Sequence, residues 1–145
     1  MSDNKYVMAA LPITMIEIMW PKIEPFIQSV ADIANGEITC DGVKRRALSG
    51  ETLIVVICKG PDVIAANVLD IMEFDSGLRA LYIPIVGGSE MDEWLDQFFL
   101  VAKAIAKDFN CTELRGLATR KGWLRRLKDM GWVEITSVIK CDVGE

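Results

Sequence analysis

The chain has 145 residues, enough to bury a sizeable core, and its 51% hydrophobic against 26% charged content excludes a disordered polypeptide. It contains no histidine, which excludes Cys/His zinc sites and histidine-based triads, and its cysteines at 40, 58, 111 and 141 form no CxxC pair. A net charge of −5 argues against general nucleic-acid binding.

No apolar stretch reaches the ~20 residues a spanning helix needs, so no membrane segment is expected. The four cysteines read as reduced, mostly buried thiols of a cytoplasmic protein. The sequence "NCT" at 110–112 matches a glycosylation acceptor, but nothing else suggests secretion. One domain over 1–145 is expected.

Residues 1–10 read as a loose start. From Ile13, apolar residues recur at Ile16, Trp20, Ile23, Ile27, Val30 and Ala34, which is helical spacing. Pro21 and Pro25 predict a short turn of helix, a break at Trp20–Pro21 and a longer helix that ends at Asn35–Gly36. "TCDGVKRRALSGE" predicts a second short helix, capped by Thr39 or Asp41 and stopped at Ser49–Gly50.

The period then changes. The runs 52–60 and 62–74, separated by Gly60–Pro61, predict a hairpin, and the turn "DSG" at 75–77 leads into a third strand over 78–86. A helix over 90–108 follows, then a short strand at 111–119, a short helix at 120–132 and a closing strand at 133–143. The strands on either side of the 90–108 helix should be parallel, joined by a right-handed crossover. The expected class is α/β, a mixed sheet in the order α-α-β-β-β-α-β-α-β.

Two features carry chemistry. The first is the strand–turn–helix "LYIPIVGGSEMDEWLDQFF" at 81–99. A glycine turn opening a helix lets backbone N–H groups and the positive end of the helix dipole meet a phosphate. The alternative is a tight connection that caps itself, with Ser89 as N-cap and Asp92 as a capping-box analogue. The carboxylates of Glu90, Asp92 and Glu93 favour that alternative, because one like-charge contact at ~4 Å near a surface costs about 1–4 kcal/mol. No lysine or arginine lies between Ala80 and Ala102 to offset them. The second feature is basic: Arg120, Lys121, Arg125, Arg126 and Lys128 fall within nine residues. On a helix, Lys121, Arg125 and Lys128 share one face, while Trp123 and Leu127 mark an inward one. This patch is either a solvated face or a surface for an acidic partner or nucleic acid.

The element order, with "RKGWLRRLKDMGWVEI" as last helix and final strand, resembles the GNAT (Gcn5-related N-acetyltransferase) fold. "WPxIEP" early and "GGxxxDEWL" centrally are similar to small GNAT-like proteins of phages and prophages. The resemblance implies an acyl-CoA-dependent N-acyltransferase with acetyl-CoA as cofactor and an amine as acceptor. It places the pyrophosphate at Ile85, Val86, Gly87, Gly88 and Ser89, with Arg120 and Lys121 flanking the groove. The family's (Q/R)xxGx(G/A) pattern is incomplete in "VGGSEMDEW", which lacks the Arg or Gln and the glycine spacing. The family tyrosine that protonates the departing thiolate would fall at Leu127, which donates nothing. Tyr82 is then the substitute acid, and Glu73, Asp70 and Glu113 are the candidate bases. The alternative is a non-catalytic GNAT-like module, a virion component or host-factor-binding protein, using the basic helix 120–128 as its partner surface.

Overall fold

The computed structural model describes residues 5–118 and 120–144. In chain order the elements are β1 (Tyr6–Ala10), α1 (Ile13–Ala31), α2 (Cys40–Ser49), β2 (Thr52–Lys59), β3 (Asp62–Glu73), β4 (Arg79–Gly88), α3 (Met91–Asp108), β5 (Glu113–Gly116) and α4 (Lys121–Asp129). The strands lie side by side in sequence order. All neighbours are antiparallel except β4 and β5, which are parallel, as their connection through α3 requires.

Each face of the sheet is covered by helices. On one face α3 buries Trp94, Leu95, Phe98 and Ala102 against Val55, Ile57, Leu69 and Leu81, joined by Leu127 of α4. On the other, α1 and α2 bury Ile16, Trp20, Ile23, Ile27 and Val43 against Ile54, Val56, Val68 and Ile85. A sheet covered on both faces explains why β2 reads as a continuous apolar run rather than an alternation.

The mixed α/β sheet agrees with the sequence; several local expectations do not. Residues 6–10 form an edge strand rather than a loose start, paired with β2 from Tyr6↔Lys59 to Ala10↔Val55. The expected break at Trp20–Pro21 is absent, and α1 runs unbroken through both prolines. Pro21 and Pro25, four residues apart, both lie on the exposed face, so the carbonyls they leave unbonded, at Glu17 and Pro21, are on the solvent side. The expected cap of α2 is present: Thr39 accepts a hydrogen bond from the Gly42 amide at 3.0 Å. Gly50 ends that helix at φ 84. The expected closing strand at 133–143 is not formed, and those residues are exposed with no ladder partner. Residues 1–4, Thr119 and Glu145, parts of the expected loose start, strand 111–119 and domain 1–145, lie outside the described residues.

Candidate active site

The site begins with a proline inside a central strand. Proline cannot donate to a ladder, so within a sheet it belongs at an edge or a bulge. In the β3–β4 register, Val68 pairs with Ile85 and Asp70 with Tyr82. Leu69 alone therefore faces two residues, Ile83 and Pro84, which makes a β-bulge in β4. The extra residue reverses which face each side chain occupies. Leu81 and Ile83 point into the α3 layer, but Ile85 points into the α1–α2 layer and Val86 back toward α3.

The same bulge marks where β4 leaves β5. Their last pair is Ile83↔Gly116, and the remaining residues of β4, Pro84–Gly88, have no β5 neighbour. The gap opens a groove of about 240 Å³. Ile83, Pro84 and Val86 line it along β4, Val30, Ile33 and Ala34 come from the α1 side, and Met91, Leu117, Trp123, Arg120 and Arg126 close the other. This volume lies below the usual range for a whole drug-sized ligand, about 300–1,000 Å³, and suits a slender apolar arm.

Gly87 and Gly88, expected as a turn beyond a strand ending at 86, are instead the last two residues of β4, paired with Ala66 and Ala65, and packing fixes them. A β-carbon on Gly87 would lie 2.7 Å from the Phe26 carbonyl of α1, and one on Gly88 only 2.3 Å from Ala65 Cβ of β3. The Gly87 amide donates to Asn67 Oδ1 at 3.3 Å and the Ser89 amide to the Ile64 carbonyl at 2.9 Å. Neither is free for a ligand. Asn67 itself is fully buried, and its Nδ2 has no protein partner.

The start of α3 also corrects the sequence reading. Ser89 is not the N-cap; Glu90 is, in the left-handed conformation at φ 59, without a side-chain cap. The Ser89 carbonyl instead accepts from the buried Trp94 Nε1 at 2.6 Å, which ties α3 to the end of β4. Among the described residues, the Met91 and Asp92 amides find no protein acceptor.

The acidic cluster is offset by groups distant in sequence. Lys59 Nζ lies 2.7 Å from Glu90. Arg126 of α4 pairs with Asp92, and the Tyr6 hydroxyl donates to Glu93 and, at 3.1 Å, to Glu90. The Lys59 hydrogen bond holds the Glu90 carboxyl below the usual carboxylate range. The hydrogen bond to Glu93 holds the Tyr6 phenol well above its ordinary value. One cation of the basic patch is therefore spent on α3, while Lys121, Arg125 and Lys128 remain on the exposed side of α4.

The remaining candidates scatter. Tyr82 is half-buried one residue before the bulge, outside the groove lining, paired across the sheet with Asp70 and Arg115. Burial first, then Glu37 and Asp70, push its phenol up. Asp70 accepts from the buried Thr52 hydroxyl at 2.5 Å. Glu73 is exposed at the far end of β3, 3.4 Å from Arg79. Glu113 opens β5 and accepts from Arg115 Nε at 2.7 Å. Of the expected cofactor residues, Val86 and Arg120 line the groove; Ile85 faces away, and Lys121 is exposed on α4 outside the lining. Sequence reasoning did not single out Pro84 or Met91, and it named Trp123 and Arg126 without placing them in the groove. A proline inside an apolar run was the available signal for the first.

A splayed pair of parallel strands, bulged at the point of parting and followed by a helix that starts at the opening, decides the architecture. The fold is GNAT-like. An aminoglycoside acetyltransferase from an uncultured soil metagenomic sample superposes with a TM-score of 0.71 at 10% identity, over 99% of this chain and 98% of that one. A GCN5-related N-acetyltransferase from Ralstonia eutropha gives 0.69 at 18% identity, over 96% and 99%. A predicted acetyltransferase from Clostridium acetobutylicum, solved with acetyl-CoA, gives 0.69 at 12% identity, over 95% and 96%. No family model and no curated protein matches the sequence. The likeness to these GNAT structures is one of fold. Among the described residues no helix is long and apolar enough to cross a membrane, and no cluster of side chains could hold a metal ion.

Proposed function

We propose that the protein is an acyl-CoA-dependent N-acyltransferase that uses the groove between β4 and β5 to transfer an acetyl group to an amine. The parting of β4 from β5 at Ile83↔Gly116 carries this reading, because it leaves strand edge and apolar side chains open together. Acetyl-CoA, when bound, supplies the activated thioester. Ile83, Pro84 and Val86 would hold its apolar arm and keep water from it. Arg120, with the unpartnered amides of Met91 and Asp92, would hold its phosphates. The ion pairs of Glu90 with Lys59 and of Asp92 with Arg126 lessen the repulsion an anion would otherwise meet there.

Among the described residues, no carboxylate and no tyrosine lines the groove. Its contribution to the reaction is then orientation of the two reactants, with protons exchanged through solvent. Calorimetric titration with acetyl-CoA, and in parallel with free CoA, tests the proposal. Micromolar binding that weakens ten- to hundredfold in Arg120→Ala is expected, because a charge-assisted hydrogen bond contributes about 1.5–3 kcal/mol. Absence of heat at millimolar ligand overturns it.

A second reading, a non-catalytic GNAT-like module of phage or prophage origin, draws on Leu127. It occupies the position where the resemblance calls for a tyrosine, and it is buried in the core. In that case Lys121, Arg125 and Lys128 are the partner surface. Tight CoA binding without turnover over a panel of amines would favour it.

A further inference from the structure

The groove between β4 and β5 has two unlike walls. Its two cations, Arg120 and Arg126, both stand on α4, the first as the N-cap of that helix. The opposite wall is made by Val30, Ile33 and Ala34, where Val30 and Ala34 belong to the α1–α2 core. Spaced i, i+3 and i+4, these three share one helical face. Short-range hydrogen bonds carry that face past the last residue of α1. The Ile33 amide donates to the Val30 carbonyl at 3.1 Å and the Ala34 amide to the Ala31 carbonyl at 3.2 Å.

The α1 wall offers nothing polar. Those two bonds, with that of the Glu37 amide to the Ala34 carbonyl at 3.1 Å, occupy carbonyls of this turn. The carboxylate within it, Asp32, accepts from Gln28 Nε2 at 2.6 Å and does not line the groove. On β4, Pro84 has no amide hydrogen to give. An ammonium set against this wall would lose its water and gain no acceptor, a heavy cost for a charge. A hydrocarbon meets no such cost. Ile33, 37% exposed, is a large aliphatic side chain left partly in water where it lines the groove.

We infer that the α1 wall receives the acyl chain itself, and that this chain is a short aliphatic one longer than acetyl, of the butanoyl class. The inference rests on the acyl-CoA reading above and replaces its acetyl group by a longer one. With both cations on α4, the anionic part of such a ligand belongs at that wall, and its uncharged end is the part that suits Val30, Ile33 and Ala34. Acetyl offers that wall a single methyl. Each further methylene removes apolar surface from water and tightens binding about fourfold.

Calorimetric titration with free CoA, acetyl-CoA and butanoyl-CoA tests the inference, read as the ratio of the last two affinities. That ratio cancels any change in fold or in phosphate contacts. Butanoyl-CoA should bind about fifteenfold tighter than acetyl-CoA, for its two added methylenes. Val30→Thr, which puts a hydroxyl on the wall, and Ile33→Ser should each lower the ratio severalfold, while Asp32→Asn should leave it unchanged. If CoA binds but butanoyl-CoA binds no tighter than acetyl-CoA, the inference is overturned and the acyltransferase reading stands. If none of the three binds, that reading falls and takes the inference with it. A ratio that neither Val30→Thr nor Ile33→Ser lowers overturns the assignment to the α1 wall. So does a flat acyl series in which butylamine binds the CoA complex and the same substitutions weaken it, because the wall then holds the acceptor.

Discussion

Replacing Gly88 by alanine separates a glycine needed for packing from one needed for a ligand. The new methyl would stand 2.3 Å from Ala65 Cβ, 2.5 Å from Ala65 Cα and 2.5 Å from the Ile64 carbonyl, two of them backbone atoms of β3 that no side-chain rotation can move aside. Overpacking of this kind costs about 1–3 kcal/mol. Gly88 also sits at φ 145, a conformation that non-glycine residues occupy at a further cost of about 1–3 kcal/mol. The sum, about 2–6 kcal/mol, is a large share of the roughly 5–15 kcal/mol a domain possesses. With a urea m-value of about 2 kcal/mol/M, the unfolding midpoint should fall by about 1–3 M. Gly77→Ala is the control. That glycine has φ 88 but nothing within 4 Å of the added methyl, so it bears only the conformational cost of about 1–2 kcal/mol. Urea titration followed by tryptophan fluorescence, at equal m, compares the two directly. Equal midpoint losses would refute the contact with β3, and an unshifted Gly88→Ala midpoint would refute both terms.

Three more outcomes follow from the same geometry. Thr39→Ala removes the oxygen that caps α2 and should lower stability by about 1 kcal/mol in chemical denaturation, with Thr39→Ser largely restoring it. Lys59→Met removes the group that depresses Glu90. A depressed carboxylate contributes stability above its unfolded pKa and loses it as pH falls through the folded one. The stability gap between wild type and variant should therefore be present at pH 7 and close at the acid end of the carboxylate range; a gap independent of pH would contradict the pairing. If the groove transfers acyl groups, kcat/KM should rise with pH in step with deprotonation of the acceptor amine, with no falling limb between pH 6 and 9. A bell-shaped profile would reveal an acid or base that the groove lining lacks.

The parts legible in the sequence are those set by local chemistry. The Gly60–Pro61 hairpin, the Thr39 cap, the Gly50 stop and the α3 stripe each depend on residues adjacent in the chain. The parts that were not legible depend on what lies opposite. Tyr6–Ala10 is too short to show a period, and becomes a strand because β2 offers an edge. The 133–143 pattern is that of a strand, but a pattern specifies faces without specifying a partner. Pro21 and Pro25 suggested a break because their shared exposed face emerges only once the helix is packed. The glycines were expected as a turn beyond residue 86, but they continue the β4 ladder to Gly88 because β3 supplies Ala65 and Ala66 opposite them. The partners of the Gly87 and Ser89 amides, Asn67 and Ile64, come from another strand, and the cations that offset Glu90 and Asp92 lie about thirty residues away on either side. Ile85 was taken as a cofactor residue because the resemblance places the pyrophosphate at 85–89, and the bulge at Ile83–Pro84 turns its side chain into the α1–α2 layer instead.

That inversion makes two neighbouring stretches of one strand answer to opposite halves of the molecule. Ile83 is embedded with α3, and Ile85, two residues on, with α1 and α2. The groove touches both halves at once, through Ala34 and Val30 on one side and Met91 and Trp123 on the other. A molecule lodged there bridges the two layers that the sheet separates. Slowed amide exchange should then appear in α1 as well as in α3.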